Sequence, residues 1–393
     1  MSAPHALPQS VFDRIVALRR DLHQHPELSW SENRTMAQIS AQLEEIGIPH
    51  RKAVAGTGII ADLPGISDGP RIALRADTDA LPVHEETGLD FASVHDGVMH
   101  ACGHDGHTSM LVGAAQMLRE APPPLPVRLL WQPAEELGQG AIAMVEAGAM
   151  DGVAMIFGGH LDRHYPPGTL VVTDGAVNAS TDTFRIEITG KQGHGARPHE
   201  TIDAIVIGSL FVTSLQTIVS REIDPARPSV ISVGRFDAGS AANVIAGRAV
   251  LEGTIRAQDR DVRDHLCKAI ERIARAVGDL HGAGIEVDVR VGTPPVINPP
   301  GATALARSAA ADIVGADKVL TLHTANMGGE DFAYFMEQVP GAYIRYGAQV
   351  PGRESFPAHS SRFDIHESAL GTGAAWLDRV ARVAGAHVQE EGV

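Results

Sequence analysis

The sequence of 393 residues predicts an α/β protein with two domains, one of which is inserted into the other. Three observations support this prediction. The chain is longer than one hydrophobic core usually supports. Over the first 178 residues, short apolar strands alternate with helices, as in an α/β sheet. In residues 182–291, the strands instead alternate polar and apolar side chains, which is typical of a sheet with one exposed face.

The composition is that of a globular protein, with 44% hydrophobic and 20% charged residues. A net charge of −16 argues against nucleic acid as a partner, because phosphate binding requires a basic surface. The two cysteines, Cys102 and Cys267, form no disulfide framework and indicate a reducing compartment. Residues 1–10 lack the features of a signal peptide, and we find no apolar run long enough to span a membrane. We therefore expect a cytoplasmic protein without a membrane partner.

The helices of the first domain are predicted from apolar residues that recur every three or four positions. The first helix places Val11, Ile15 and Leu18 on one face, and Gly47 is a C-terminal cap for the second. Short apolar runs bounded by Gly, Pro or Asp predict the strands. In chain order, the predicted elements are helices 10–20 and 35–46, strands 58–64 and 71–75, helix 108–119, strand 127–131, helix 139–147, strand 154–157, helix 301–315 and strand 341–346.

The second domain is predicted over residues 179–293, which leaves residues 1–178 and 294–393 for the first domain. Its elements follow the order β-α-β-β-α-β, which is typical of a ferredoxin-like α/β sandwich. The Pro-rich segment 293–300 returns the chain to the first domain. The predicted elements are strand 182–189, helix 201–220, strands 230–233 and 249–256, helix 260–279 and strand 285–291.

Residues 100–107 read His-Ala-Cys-Gly-His-Asp-Gly-His and contain three imidazoles, a thiol and a carboxylate. Cys102 and His104 flank a single glycine, and both residue types bind borderline-soft divalent metals. A lone histidine is more often a capping or surface residue, but this density favours a metal site. His23 and His25 resemble a second metal-binding pair, but a polar loop explains them at least as well, so we leave them out.

Polar residues follow three predicted strands at the point where each strand ends. Asp77 and Asp79 follow the first of these strands, Glu135 and Glu136 the second, and His160 the third. In open α/β sheets, ligand-binding sites lie at the carboxyl ends of the strands. A single carboxylate at such a position is usually a turn residue or a helix cap. Polar residues at three strand ends together favour a functional site.

The candidate metal ligands are therefore Cys102, His104, one of the Glu135/Glu136 pair, His160 and a late histidine, for which His359 is the best choice. Five such ligands can hold two metal ions, which clamp a water molecule and a substrate carbonyl together. Adjacent residues on a strand point in different directions, so one glutamate can bind metal while the other acts as general base. The chain has no dinucleotide or P-loop fingerprint and no Gly-x-Ser-x-Gly elbow.

Four segments closely resemble the signatures of the hippurate hydrolase/N-acyl-amino-acid amidohydrolase family. This family belongs to the metallopeptidase superfamily of aminoacylases, glutamate carboxypeptidases and succinyl-diaminopimelate desuccinylase. The resemblance extends over residues 12 to 370, in the order of the family. The four segments are Arg-Ala-Asp-Thr-Asp-Ala-Leu-Pro at 75–82, Met-His-Ala-Cys-Gly-His-Asp-Gly-His at 99–107, Gln-Pro-Ala-Glu-Glu at 132–136 and Met-Gly-Gly-Glu-Asp-Phe-Ala at 327–333.

The resemblance implies a mixed-sheet, exopeptidase-like catalytic domain with a dinuclear metal site, and an inserted lid domain that forms a homodimer or homotetramer. It implies two divalent metal ions (Zn, Mn, Co or Ni) and Glu135 as general base. In the lid, His194 would polarise the scissile carbonyl of a substrate bound in the site of its own or the partner subunit, and Asn243 and Arg256 would hold the substrate carboxylate. The implied metal ligands are Cys102, His104, Glu136, His160 and His359.

The expected function is removal of an acetyl, benzoyl or similar N-acyl group from an amino acid. One alternative is a dipeptidase or carboxypeptidase of the same superfamily, in which the acyl part is itself an amino acid. A second alternative is a non-catalytic amino-acid-binding relative. The presence of Glu135 with a full ligand set argues against that alternative, because a protein without catalysis has no need of the base.

Overall fold

The computed structural model describes residues 7–392. The absence of a signal peptide is predicted from residues 1–10, and six of these ten residues lie outside the described range. The chain forms two compact units. Unit 1 contains the residues up to Gly175, Ile297–Thr324 and the residues from Asp331 onward, and unit 2 contains Ala176–Val296 and Ala325–Glu330.

The boundaries of unit 2 differ from the predicted insertion at 179–293 by three residues at each end and by the segment Ala325–Glu330. Within unit 2, the Asn326 amide donates to the Val177 carbonyl at 3.0 Å, and the Ala179 amide donates to the Gly328 carbonyl at 3.1 Å. These hydrogen bonds join residues about 150 positions apart along the chain. The periodicity of the sequence does not reveal such long-range contacts.

The helices and strands follow the chain from an N-terminal helical pair to a long C-terminal helix. The helices are α1 Gln9–Gln24, α2 Asn33–Ile46, α3 His104–Glu120, α4 Gly140–Glu146, α5 Ala204–Thr217, α6 Arg260–His281, α7 Pro300–Val314, α8 Ala333–Met336 and α9 Ser368–Glu391. The strands are β1 His50–Val54, β2 Gly58–Leu63, β3 Arg71–Asp77, β4 Val127–Gln132, β5 Val153–Asp162, β6 Leu170–Val171, β7 Gly175–Asn178, β8 Thr181–Thr189, β9 Gly193–His194, β10 Ser229–Ala238, β11 Val244–Ile245, β12 Arg248–Ala257, β13 Gly284–Thr293, β14 Val296–Asn298, β15 Val319–Leu320 and β16 Gly341–Gly347.

Unit 1 is built on an eight-stranded sheet with the order β1-β2-β4-β3-β5-β16-β6-β15. Its central strands β4, β3, β5 and β16 are parallel, and β1 and β2 extend it with antiparallel pairs. The predicted mixed sheet is therefore confirmed. Because the central strands are parallel, their carboxyl ends meet at one edge, which brings together the polar residues at or just after the ends of β3, β4 and β5. His160, predicted to follow its strand, lies within the longer β5.

Helix α3 differs from its prediction in both start and burial. It begins at His104 instead of residue 108, because Gly103 adopts a left-handed conformation (φ 92°) that turns the chain directly into the helix. Its residues from His104 to Ala115 are all buried, whereas the sequence suggested one apolar face. The reason is that α3 packs against α1, α9 and β3 at once.

Unit 2 contains a four-stranded antiparallel sheet with the order β10-β12-β8-β13. Helices α5 and α6 pack against each other and against this sheet, and Phe184, Phe211 and Leu266 lie in the core between them. The elements follow the predicted order β-α-β-β-α-β. A separate two-stranded ribbon pairs β9 with β11.

Helix α5 and the π-helical turn after it, together Ala204–Glu222, are long and apolar enough to cross a membrane by length and composition alone. The sequence does not predict a membrane span here, because Gly, Ser, Thr and Gln interrupt the apolar residues of this segment. One third of the most apolar stretch is buried. Ile207, Phe211 and Leu215 belong to the core of unit 2. A single helix of this kind is weak support for a membrane span, because core helices have the same composition.

Candidate metal centre

The predicted metal ligands lie at the carboxyl edge of the central strands of unit 1. Glu136 follows β4, and His160 lies near the end of β5. Cys102 precedes α3, and His104 is the first residue of that helix. His359 comes from the loop between β16 and α9, where its amide donates to the Ala101 carbonyl at 2.8 Å. This hydrogen bond joins the late histidine to the motif around Cys102.

The five predicted ligands and Glu135 form one cluster. The Cys102 Sγ atom lies 3.2 Å from His160 Nε2, and His359 Nε2 lies 3.4 Å from Glu136 Oε2. His104 Nε2 is 3.9 Å from a carboxylate oxygen of both Glu135 and Glu136. In each of three groups, the potential ligand atoms lie within 4.8 Å of one another; the groups are Cys102/His104/His160, Cys102/Glu136/His359 and His104/Glu135/Glu136.

Two residues of this region adopt the left-handed backbone conformation that non-glycine residues rarely use. Ala134, directly before the glutamate pair, has φ 51°, and His359 has φ 68°. The Ala134 amide donates to the buried Glu32 carboxylate at 2.9 Å, which holds this turn in place. Such backbone strain concentrates at functional sites, where surrounding contacts impose it.

Asp79 contacts both His104 and the backbone of Glu136. His104 Nδ1 lies 2.9 Å from the Asp79 carbonyl oxygen and 3.2 Å from Asp79 Oδ1, so the Nε2 atom faces the cluster. The other carboxylate oxygen of Asp79 accepts hydrogen bonds from the Glu136 amide at 3.0 Å and the Ser29 hydroxyl at 2.7 Å. The sequence predicts Asp79 at a strand end but does not indicate these contacts, because His104, Ser29 and Glu136 are distant from Asp79 along the chain.

Burial is the largest single influence on the pKa values of the cluster. Burial lowers the pKa of His160 well below its ordinary value. Burial, and next the charge of Glu136, raise the pKa of the Cys102 thiol above its ordinary value. Burial also raises the pKa of the Glu136 carboxyl. For His104, burial acts to lower the pKa, but the charge of Asp77 and the hydrogen bond to Asp79 raise it well above the ordinary value.

The donor set fits divalent metal ions. His104 Nε2 and Glu136 Oε1 are buried without a hydrogen-bond partner among the described residues, which is unfavourable for polar atoms unless another group satisfies them. They face a thiol, two further imidazoles and a second carboxylate. Nitrogen, sulfur and oxygen donors in this combination suit borderline-soft ions such as zinc.

The three predicted lid residues belong to unit 2. Pairing of β9 with β11 places His194 opposite Val244, and the Gly195 amide donates to the Asn243 carbonyl at 2.8 Å. The structure therefore brings His194 and Asn243 close together. Arg256 lies on β12 in the four-stranded sheet, with Nη1 3.0 Å from the Ile255 carbonyl oxygen. The functional roles of all three residues stay predictions.

Comparison with known proteins places this chain among metallopeptidases. A family model described as peptidase family M20/M25/M40 matches residues 73–383. The chain is 45% identical over 287 residues to the N-acyl-L-amino acid amidohydrolase of Geobacillus stearothermophilus, covering 72% of this chain and 78% of that protein. It is 39% identical over 376 residues to the N-acetylcysteine deacetylase of Bacillus subtilis, covering 94% and 96% of the two chains.

A solved structure agrees with these matches. It is a dinuclear metal-binding peptidase of family M20 from Bacillus subtilis, which superposes with a TM-score of 0.84 at 36% identity and covers 96% of this chain and 99% of that one. The resemblance seen in the four sequence motifs is thus confirmed. The chain belongs to peptidase family M20/M25/M40 and is a metal-dependent hydrolase of amide bonds.

Proposed function

We propose that the protein removes an N-acyl group from an amino acid, with two divalent metal ions (Zn, Mn, Co or Ni) as cofactors and Glu135 as general base. The observation that supports this proposal is the cluster of five metal-binding side chains with a second carboxylate beside it. The N-acyl amino acid amidohydrolase and deacetylase among the relatives favour an acyl amino acid as the substrate class.

The two ligand groups that share Cys102 suggest how the ions would be held. Cys102, His104 and His160 would bind one ion, and Cys102, Glu136 and His359 the other. Glu136 belongs to the group with His359 and also to the group with His104. Glu135 forms a third group with His104 and Glu136, and we propose that its carboxylate transfers protons beside these ligands.

Bound divalent ions would lower the pKa of a water molecule and polarise the substrate carbonyl. Glu135 would take the proton from the attacking water and deliver it to the nitrogen of the leaving amine. His194 Nδ1 accepts a hydrogen bond from the Ala196 amide at 3.0 Å, so in the neutral ring the proton is on Nε2. That N–H group would donate to the carbonyl oxygen. Arg256, with Asn243, would bind the carboxylate of the substrate, for which a planar guanidinium is suited.

We further propose that two copies of the chain associate through unit 2 and that the protein is cytoplasmic. Strand β10 is an edge strand of the sheet, and the neighbouring helix α5 exposes Val206 and Leu210. An edge strand beside an exposed apolar helix face is a favourable surface for self-association. Both cysteines are free, which agrees with a reducing compartment.

We expect Glu135→Gln to lower kcat by at least about 100-fold, because loss of a general base typically costs that much. The metal content should stay at the wild-type level, because the other ligands are unchanged. Amino-acid release and elemental analysis of the same preparation measure both quantities. Glu136→Gln is the matched control, and it should lose metal together with activity. Loss of metal from the Glu135 variant would contradict the role of Glu135 as base.

The substrate class is tested by release of free amino acid from a panel with added metal and with a chelator. The panel contains N-acetyl, N-benzoyl and indole-acetyl amino acids and several dipeptides. We expect chelator-sensitive cleavage of the acyl compounds. Cleavage of dipeptides alone would support the dipeptidase or carboxypeptidase alternative. No cleavage of any compound by metal-loaded protein would favour the non-catalytic alternative.

A further inference from the structure

His107 is a third histidine close to the proposed metal ligands. It lies in α3, one turn after His104, and Asp77, His104 and His107 have potential ligand atoms within 4.8 Å of one another. By composition and distance alone, these three residues form a further metal-binding group. The hydrogen bonds of His107 decide whether this interpretation holds.

Both ring nitrogens of His107 have protein partners. The Leu161 amide donates to His107 Nε2 at 2.9 Å, so this nitrogen is unprotonated and its lone pair is occupied. The proton of the neutral ring is therefore on Nδ1, which lies 2.6 Å from Asp77 Oδ1 and donates to it. No lone pair of this ring remains for a metal ion.

Asp77 is held in place by buried polar partners. Arg75 donates from Nη1 to Asp77 Oδ2 at 2.7 Å, and it also contacts Gln132 and Asp331 at 2.7 Å and 3.0 Å. All of these side chains are buried within unit 1. A buried carboxylate paired with a guanidinium is strongly held, because removal of either partner leaves an unpaired charge. Asp77 can therefore maintain the Nδ1–H form of His107.

His107 acts on His160 through the residue between them. The Leu161 amide donates a hydrogen bond to His107. The carbonyl oxygen of the same residue accepts a hydrogen bond from His160 Nδ1 at 2.8 Å. This contact directs His160 Nε2 toward the cluster, 3.2 Å from Cys102 Sγ. In addition, the rings of His107 and His160 pack edge to face, with centroids 4.7 Å apart and an interplanar angle of 73°.

We propose that His107 is a positioning residue for the metal ligand His160 and is not itself a ligand. The proposal rests on the ligand set given above for the proposed function. Arg75 and Asp77 hold His107 in one tautomer, His107 holds Leu161, and Leu161 sets which nitrogen of His160 faces the metal. Partners of this kind around metal ligands typically change metal affinity by about 10- to 100-fold when removed.

The test compares metal binding by the full-length wild type with that of His107→Phe and His107→Gln. Zn²⁺ affinity is measured by competition with a chromogenic chelator, and the visible spectrum of the Co²⁺-loaded protein reports ligand geometry. We expect His107→Phe to bind the same number of ions at saturation, with affinity for at least one ion about 10- to 100-fold weaker and shifted Co²⁺ bands. His107→Gln should lose less affinity, because its amide oxygen can still accept from Leu161.

Ser109→Ala is the matched control. It removes another buried hydrogen bond of α3, from the Ser109 hydroxyl to the Asp105 carbonyl at 2.7 Å, and should leave metal affinity and the Co²⁺ spectrum unchanged. Circular dichroism of the chelator-treated proteins verifies folding. If His107→Phe does not fold, the metal affinity and Co²⁺ spectrum of His107→Gln test the proposal.

Two results would overturn the proposal. Loss of one whole ion at saturating metal would make His107 a ligand. Affinities within about twofold of the wild type, or an equal loss in Ser109→Ala, would show that His107 does not position His160. None of these measurements requires substrate, so a protein that binds metal as expected but cleaves no compound of the panel would contradict the proposed activity alone.

Discussion

His23 belongs to a buried ion cluster beside the start of α3. Its Nδ1 atom lies 2.9 Å from Asp105 Oδ2, which also accepts a hydrogen bond from Arg19 Nε at 2.9 Å. Its Nε2 atom lies 3.2 Å from Glu85. From the sequence, His23 and His25 resemble a metal-binding pair, but they are left out because a polar loop explains them at least as well. The structure instead gives both of its ring nitrogens carboxylate partners, which explains why so polar a side chain is buried.

This arrangement predicts a pH dependence of stability. Burial acts to lower the pKa of His23, but the hydrogen bonds to Asp105 and Glu85 raise it above its ordinary value. The folded protein therefore binds this proton more tightly than the unfolded chain does. The stabilisation is complete below a pH of about 6.5, the unfolded value, and is lost as the pH rises above it.

We expect the free energy of unfolding of the wild type to fall, relative to that of His23→Gln, as the pH rises from about 6 to 8. Urea unfolding of the chelator-treated proteins across this range measures the difference. Parallel pH profiles of the two proteins would show that the cluster does not hold the proton as described.

At the scale of elements, glycines allow α3 and α9 to approach closely. An ideal Cβ atom at Gly373 would lie 1.8 Å from Met110 Sδ, and one at Gly113 would lie 3.0 Å from the Ala374 Cβ atom. The close approach buries Met110 completely and brings α9 against the helix that begins at His104. Packing of α9 against α3 therefore stabilises the helix whose first residue is the proposed ligand His104.

Gly373→Ala should destabilise the protein by about 1–3 kcal/mol, because overpacking of a dense core costs this much. The double variant with Met110→Ala should be less destabilised than the sum of the two single variants, because the smaller side chain removes the clash. Gly385→Ala on the same helix is the control, since its Cβ would meet neighbours only at 3.4 Å or more. Urea unfolding gives the stability of the wild type, the two single variants, the double variant and the control. Strict additivity of the two substitutions would exclude the proposed clash.

At the scale of the whole molecule, the proposed association of two copies of the chain through unit 2 can be tested. The patch on unit 2 that we propose as the interface consists of Val206 and Leu210 on α5 and Phe236 on the edge strand β10, each more than one third exposed. Phe236 packs next to Gly208, where an added Cβ atom would lie 2.5 Å from its ring. The patch therefore joins helix and edge strand into one apolar surface.

Replacing Val206 and Leu210 together by glutamate should convert a dimer into a monomer of 41.5 kDa, because charge on a buried apolar interface is unfavourable. Size-exclusion chromatography with light scattering gives the mass of each protein. Leu280→Glu, at a side chain 75% exposed near the end of α6, serves as control and should leave the mass unchanged. An unchanged mass for the double variant would place the interface elsewhere.

The sequence by itself determined the α/β class and the family. It also predicted most of the longer helices and strands, an inserted domain and a compact set of candidate ligands. Periodicity, turn residues and motif spacing are local properties, so they can be read along the chain. Glu135 and Glu136, for example, follow an apolar strand through Gln-Pro-Ala, which places them at the edge of the sheet without further information.

Only the tertiary structure decided which hydrogen-bond partners each of the neighbouring motif residues has. His104 and His107 belong to one motif, yet the first exposes Nε2 to the cluster and the second uses both nitrogens for protein partners. Asp79 contacts a residue 57 positions away, and Arg75 contacts a residue 256 positions away. Hydrogen-bond geometry between distant segments depends on how the sheet assembles them, so a local sequence pattern contains no information about it.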